Sequence, residues 1–164
     1  MAWTTPRTWV DDEIVEAVDL NAHLRDNMNY VHSGKPASAI TLTSGDISLG
    51  TSFADLDATN LSFTLSITTG RVLIAVIAMA ETASTNHLVA LDVTIDGTRQ
   101  GGTDGLSAAL CSINVPTPLS FSYFKTGLSV GSHTFRLQGL HANVSTAVIR
   151  AAADSPLHFA AMEV

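Results

Sequence analysis

Along residues 61–68 every second position is apolar: Leu61, Phe63, Leu65 and Ile67 alternate with Ser62, Thr64, Ser66 and Thr68. Successive side chains leave a strand on opposite faces, so this pattern predicts a strand with one face on a core and one in water. Thr69-Gly70 reads as a turn, and residues 72–80 follow as nine apolar residues in both phases. Such a run predicts a strand covered on both faces. Residues 88–95 predict the next strand, closed by Asp96-Gly97, the sequence of a tight two-residue hairpin. Residues 98–105 hold three of the eleven glycines and predict a loop. Leu119, Phe121 and Tyr123 then alternate with serines as far as Lys125. A turn from Gly127 to Gly131 leads into His133, Phe135 and Leu137, with Thr134, Arg136 and Gln138 opposite. Residues 147–151 and 157–164 complete the set. At least seven short strands with no helix between them predict an all-β fold, an antiparallel sandwich or jelly roll.

The first 35 residues follow a different rule and define a separate unit, with the β domain spanning 36–164. Residues 4–9 read as extended, because Pro6 fixes its own φ and biases Thr5 away from helix. Leu20, Leu24, Met28 and Val31 fall on one stripe of a helix over residues 20–31, with Asp19 as its cap, Gly34 as its stop and Pro36 two residues on. Three turns of helix are marginal alone, so the stripe is expected to pack on the β body, on symmetry mates or on another protein. Both tryptophans, Trp3 and Trp9, lie in this segment. Six residues apart on extended chain, they stand roughly 20 Å from each other, which suits reaching across a neighbouring surface.

Composition sharpens this picture. Only 14% of the residues are charged while 46% are hydrophobic, against about 25% charged in ordinary soluble domains. Such a chain has little polar surface to spare, so part of its apolar surface is expected to be covered by further copies or by a partner. The net charge is −7, with six acids against three bases in residues 1–35. There is no Lys/Arg cluster, which argues against nucleic acid as a partner. The longest apolar run, residues 72–80, is too short to span a bilayer as a helix, so membrane insertion is not expected. Acidic residues follow Met1–Arg7, so no secretory leader is expected there. Cys111 is the single cysteine and lies in an uncharged run, which predicts a buried, inert thiol and no internal disulfide.

Two stretches resemble known families. The opening Trp3-Thr4-Thr5-Pro6-Arg7-Thr8-Trp9, the acids after it and Leu20-Asn21-Ala22-His23-Leu24-Arg25-Asp26-Asn27 resemble an N-terminal segment of tailed-bacteriophage structural proteins. The body resembles the tumour-necrosis-factor and complement-head type of jelly roll found at the tips of phage fibres. Thr69-Gly70, Asp96-Gly97, the run from Leu128 to Leu137 and the closing Phe159 to Val164 carry that likeness. The resemblances imply a virion structural protein, made in the host cytoplasm. They leave its mount open between capsid decoration or head fibre and tail fibre or minor tail protein. They also imply a homotrimer with aliphatic and aromatic residues along its axis, for which Val72, Ile74, Val76, Phe121 and Tyr123 are the expected interface. Trp3, Pro6, Trp9, Leu20, Leu24, Met28 and Val31 are the expected anchor to other virion proteins. The displayed domain is then placed to meet a host surface glycan or protein.

Candidate chemistry is sparse. Gly127-Leu128-Ser129-Val130-Gly131 matches the nucleophile-elbow pattern, but an elbow needs a helix after it and the residues here alternate as a strand. Asp92-Val93-Thr94-Ile95-Asp96-Gly97 resembles the start of a calcium loop, yet the twelfth position is Thr103 instead of Glu. Asn60 and Asn143 match the glycosylation pattern, read as chance. The six histidines have no metal-type spacing. No catalytic residue, cofactor or metal site is therefore expected, and the protein is expected not to be an enzyme. The alternative from another class is a carbohydrate-binding or carbohydrate-active β-sandwich, which requires aromatics and acids in one cleft.

Overall fold

The computed structural model describes residues 5, 8, 11, 14, 16–25, 28, 35–83, 87–142 and 146–164. In chain order, a turn of α-helix, α1 (Ala17–Leu20), runs into a π-turn (Asn21–Arg25) and is followed by the strands. These are β1 (Ala37–Leu42), β2 (Ile47–Ser48), β3 (Ala54–Asp55), β4 (Ser62–Ile67), β5 (Arg71–Thr82) and β6 (His87–Ile95). Then come β7 (Thr98–Arg99), β8 (Ser107–Cys111), β9 (Thr117–Thr126), β10 (Gly131–Ala142), β11 (Ala147–Arg150) and β12 (Leu157–Glu163).

The strands form two antiparallel sheets, each four strands wide. In sheet I, β5 pairs β9 along one edge, and β12 and β11 end to end along the other; β1 and β2 lie outside those. In sheet II, β6 pairs β10 on one side and β8 and β7 on the other, while β4 and β3 follow one another along β10. This is the all-β sandwich that the alternation predicts, in the jelly-roll form that the resemblance implies. The core lies between the sheets. Phe63 stacks on Phe135 with centroids 5.5 Å apart and meets Phe159 at 4.8 Å, joining the two layers. Leu61, Ile67, Leu137, Ile149 and Leu157 are fully buried around them.

Several local expectations change. Residues 98–105 are not all loop, because Thr98 and Arg99 close the β6–β7 hairpin as a short strand. Asp96 and Gly97 both take positive φ, 51° and 81°, as a two-residue turn matched to strand twist requires. The helical segment starts earlier than residue 20: Glu16 is its N-cap, without a side-chain cap bond, and Asp19 sits inside the first turn. A π-turn then interrupts the regular 3.6 repeat at Asn21–Arg25.

One end of the sandwich gathers the start of β1, the end of β12, the β4–β5 and β6–β7 turns and the β9–β10 loop. Here the Glu163 N–H donates to the Pro36 carbonyl (2.9 Å), so residues 1–35 join the body at this end. Gly70 takes a φ of +72° there, and a Cβ on it would sit 2.7 Å from the Leu128 carbonyl oxygen. Glycine is what permits that approach.

Candidate assembly surface

In β5 the two apolar phases part company. Val72, Ile74, Val76, Ala78 and Ala80 face sheet II and are buried. Leu73, Ala75, Ile77 and Met79 point outward. Register extends this outward face: β12 brings Ala160 beside Ala75 and Met162 beside Leu73, β1 brings Ala37 and Ala39, and β9 brings Phe124 beside Leu73. The result is a sheet surface with small residues at its centre and large ones around them. Ile77 is 59% exposed, Phe124 54% and Met162 44%. A shallow concavity of about 420 Å³ lies over Ala37, Ala39, Leu73, Ala75, Ala160 and Met162. Among the described residues this face also carries Arg71, Glu81 and its partner Arg150 (2.6 Å, beside Met79) towards the ends of β5, and Ser120, Ser122 and His158 beside Ala75 and Ile77. The outward face of sheet II is polar along β4 and the first half of β10, with Ser62, Thr64, Ser66, Ser132, Thr134, Arg136 and Gln138, and apolar at its other end, with Leu88, Leu110 and Leu140. Water suits the β4 side. The outward face of sheet I exposes more large apolar side chains, at Ile77, Phe124 and Met162.

The interface residues expected from the sequence need correction. Val72, Ile74 and Val76 are core, and cannot touch another copy while the sandwich is intact. Phe121 and Tyr123 share their side of the sheet and are half-buried against the same core. In β5 it is the other phase that faces outward, since a shift of one residue exchanges the faces of a strand. Coverage on both faces of β5 is likewise not met within one chain. Of the expected anchor, Leu20, Leu24 and Met28 are exposed by 42%, 55% and 61%, beside Val18 at 66%. Trp3, Pro6, Trp9 and Val31 lie outside the described residues.

A second exposed apolar group sits across the sandwich. On β8 and the connection to β9, Leu110 is 69% exposed, Val115 53% and Ile113 42%. Leu110 points out of sheet II, opposite Leu88 of β6. β8 and β9 are the neighbouring edge strands of the two sheets, so this group occupies an edge of the sandwich.

The structure brings together one constellation that spacing does not reveal. His133 Nδ1 donates to Asp96 Oδ2 at 2.6 Å, and Ser129 Oγ lies 3.4 Å from His133 Nε2. These are the members of a Ser-His-Asp triad. However, Nε2 also donates to the Ser129 carbonyl oxygen at 2.9 Å. A ring that donates from both nitrogens is an imidazolium and has no lone pair to accept a serine proton. The Ser129 carbonyl first, then Asp96, holds the His133 pKa above its ordinary value. The Thr134 N–H first, then His133, holds Asp96 below the usual carboxylate range. The arrangement is a clasp that ties the β6–β7 turn to the β9–β10 loop. What sequence could have shown is only that Asp96 precedes a turn facing a strand that begins near His133.

Other polar groups have structural partners. Asp92 is fully buried; it accepts from Arg99 Nε at 2.8 Å, the Gly101 N–H at 2.9 Å and the Val93 N–H at 2.7 Å. Arg99 lies 3.6 Å over the Phe53 ring. Asp92 thus pins the loop after β7, and the calcium-loop pattern is a hairpin. Glu163 Oε1 accepts from the Thr68 N–H (2.6 Å), the Thr68 hydroxyl (2.9 Å) and the Thr69 N–H, which fastens the last strand to the β4–β5 turn. Burial pushes its carboxyl up, and the hydrogen bonds from Thr69 and Thr68 outweigh that and hold it below the usual range. Cys111 is fully buried, and burial raises its thiol pKa. His87, Cys111 and His141 share the inner face of sheet II, yet among the described residues no group of His, Cys, Asp or Glu is placed to hold a metal ion. No described helix is long and apolar enough to cross a membrane.

Known protein families and curated sequences give no match to this chain. Solved structures do match in fold. The globular domain of zebrafish complement 1qA superposes with a TM-score of 0.50 at 12% identity, over 79% of this chain and 97% of that one. A chain of infectious bursal disease virus, Gt strain, superposes with a TM-score of 0.52 at 13% identity, over 96% of this chain and 42% of that one. This chain thus spans about two fifths of the viral protein. At such identities the likeness is one of fold: a jelly roll shared with a complement head and with a viral particle protein.

Proposed function

We propose that this chain is a non-enzymatic virion surface protein of the tailed-bacteriophage type. Residues 1–35 fasten it to capsid or tail proteins, and the jelly roll is displayed as a homotrimer that faces the host. The observation that carries this reading is the outward face of sheet I. It has alanines at its centre and exposed aliphatic and aromatic side chains around them, whereas the β4 side of the opposite sheet is polar. Its surface suits assembly into an oligomer. Two further points support it. The anchoring segment joins the body at one end of the sandwich, which leaves the other end for display, and Leu20, Leu24 and Met28 of its stripe are exposed. The likeness in fold to a viral particle protein agrees with this setting, and the sequence of the arm supplies the phage resemblance.

Two measurements test the reading together. Sedimentation of the full chain at micromolar concentration is expected to give a trimer near 50 kDa by mass multiplication of a 17.2 kDa chain. A chain starting at Gly34 is expected to stay β-rich and trimeric but to fail to co-sediment with particles that lack their own copy. Trp9→Ala alone should weaken attachment, because a buried tryptophan anchor contributes on the order of 2–4 kcal/mol. A clean monomer refutes the trimer. Equal particle binding by the truncated chain refutes the anchor.

A further inference from the structure

We infer that the β9–β10 loop is a latch, closed by the charge on His133, that governs how firmly the sandwich holds the point where residues 1–35 join it. The loop is bounded by two glycines, Gly127 with a φ of 75° and Gly131 with a φ of 141°. Among the described residues, no atom lies within 4 Å of where a Cβ on either would stand. Glycines in that conformation and in open space let a chain hinge at little steric cost. The loop is held to the body by the His133 Nε2–H, which donates to the Ser129 carbonyl at 2.9 Å, and by the Leu128 N–H, which donates to the Gly70 carbonyl at 3.1 Å. The Leu128 side chain adds a partly buried contact with the core. Each link stands one residue from the next. Ser129 follows Leu128, and Gly70 follows Thr69. The Thr68 and Thr69 N–H groups both donate to Glu163 Oε1, and the Glu163 N–H donates to the Pro36 carbonyl at 2.9 Å. A continuous network thus runs from Asp96 in the β6–β7 turn to Pro36. At its far end Glu163 is fully buried, and its Oε2 has no hydrogen-bond partner among the described residues. A buried carboxylate held through one oxygen is costly to keep charged. It therefore depends on Thr68 and Thr69 staying in place, and through Gly70 on the loop.

The proton on His133 decides the first link. As an imidazolium the ring donates from both nitrogens, to Asp96 and to Ser129. A neutral ring keeps one N–H, and the charged carboxylate of Asp96 is the stronger acceptor for it. Nε2 then turns a lone pair on the Ser129 carbonyl oxygen, two acceptors face each other, and the loop is released. The groups around His133 leave this decision to the ring and Asp96. From β4, Leu65 lies opposite it, with the uncharged Thr64 and Ser66 beside Leu65. The β6–β7 turn brings Asp96, and the loop brings Ser129. Across the sandwich, the inner phase of sheet I at this end carries Tyr123, Lys125 and Glu163, in register with Ile74 and Val72. Both ring N–H groups are already engaged by Asp96 and Ser129. The Ser129 carbonyl first, then Asp96, raises the His133 pKa above 6.5, so the latch is closed in mildly acidic solution and opens as pH rises through the folded value.

Amide hydrogen exchange of the full chain, read residue by residue by nuclear magnetic resonance and corrected for the intrinsic effect of pH, tests the latch. From about pH 6 to about pH 9, protection of the Leu128, Thr69 and Glu163 amides is expected to fall about tenfold or more, the worth of one charge-assisted hydrogen bond. The Ala83 and Asn114 amides, which bond the Thr146 and Thr82 carbonyls at the opposite end of the sandwich, are expected to keep theirs. His133→Gln has no charge to lose and is expected to give the same protection at both pH values. Asp96→Asn removes the carboxylate that favours the imidazolium and is expected to move the midpoint of the change to lower pH. If all three amides keep their protection across the range, there is no latch. If Leu128 responds while Thr69 and Glu163 do not, the loop opens without reaching Pro36 and the coupling is refuted. If Ala83 and Asn114 lose protection in step with the others, the whole sandwich loosens and the latch is refuted. These readouts involve neither particles nor a count of copies, so the trimer and the anchor stand or fall separately.

Discussion

Ile74 and Ile77 stand three residues apart on β5 and separate the core from the assembly surface in one experiment. Ile74 is fully buried between the sheets, whereas Ile77 is 59% exposed on the outward face. Ile74→Ala removes three buried carbons and leaves a cavity in a packed core, a change that costs about 2–5 kcal/mol. For a chain of this size that lowers the melting temperature by roughly 5–15 °C, at every protein concentration. Ile77→Ala does something else. Full burial of an isoleucine contributes roughly 1.5–3 kcal/mol, so the fraction still exposed leaves roughly 0.9–1.8 kcal/mol per subunit for a neighbouring copy to realise. Over three subunits that is roughly 3–5 kcal/mol, or about a hundred- to several-thousand-fold in the trimer dissociation constant. The expected outcome is therefore a melt at high dilution that is nearly unchanged, with assembly moved to much higher concentration. Thermal melts at two or more concentrations and sedimentation velocity read both quantities. Should Ile77→Ala depress the dilute melt as far as Ile74→Ala does, the outward face is part of the fold's own core. Should it leave assembly untouched, that face is not what copies use.

Three smaller predictions follow from the turns and the clasp. Gly97 holds a φ of +81° in open space, so Gly97→Val is expected to cost on the order of 1–2 kcal/mol through backbone strain alone; an unchanged melting midpoint would refute it. The raised His133 pKa means that its contribution is full below the unfolded value of 6.5 and is lost as pH rises through the folded value. The lowered Asp96 pKa means that its contribution is full above 3.8 and is lost as pH falls through the folded value. Stability should thus decline on the alkaline side of 6.5, and His133→Gln should flatten that decline; identical pH slopes in melts of the two proteins would count against the clasp. Ser129→Ala keeps the carbonyl that holds His133 and should change stability by less than about 0.5 kcal/mol; loss of a measurable esterase turnover on that substitution would instead restore the triad as a catalytic site.

Much of the fold could be read from the chain because the signals are local. Alternation at Leu61–Ile67 and at His133–Leu137, the unbroken run of β5 and the Asp96-Gly97 turn each follow from side-chain period and backbone sterics within a few residues. Only distant chain segments could decide the rest. β5 is apolar in both phases, so its sequence does not say which phase faces sheet II; the register with β12 and β9 settles it, and with it which residues are free to meet another copy. The short strands β2, β3 and β7 exist because longer partners offer them an unpaired edge, which their own two residues cannot announce. Ser129, His133 and Asp96 meet because antiparallel pairing of β6 with β10 folds 37 residues of chain back on themselves. The same pairing leaves Nε2 against a carbonyl, which turns a triad by composition into a cationic clasp by geometry. Sequence determined the long strands and the Asp96-Gly97 turn. Tertiary structure decided which of two equally apolar faces is core and which is surface, because burial is a property of what lies across the sandwich and not of the residue itself.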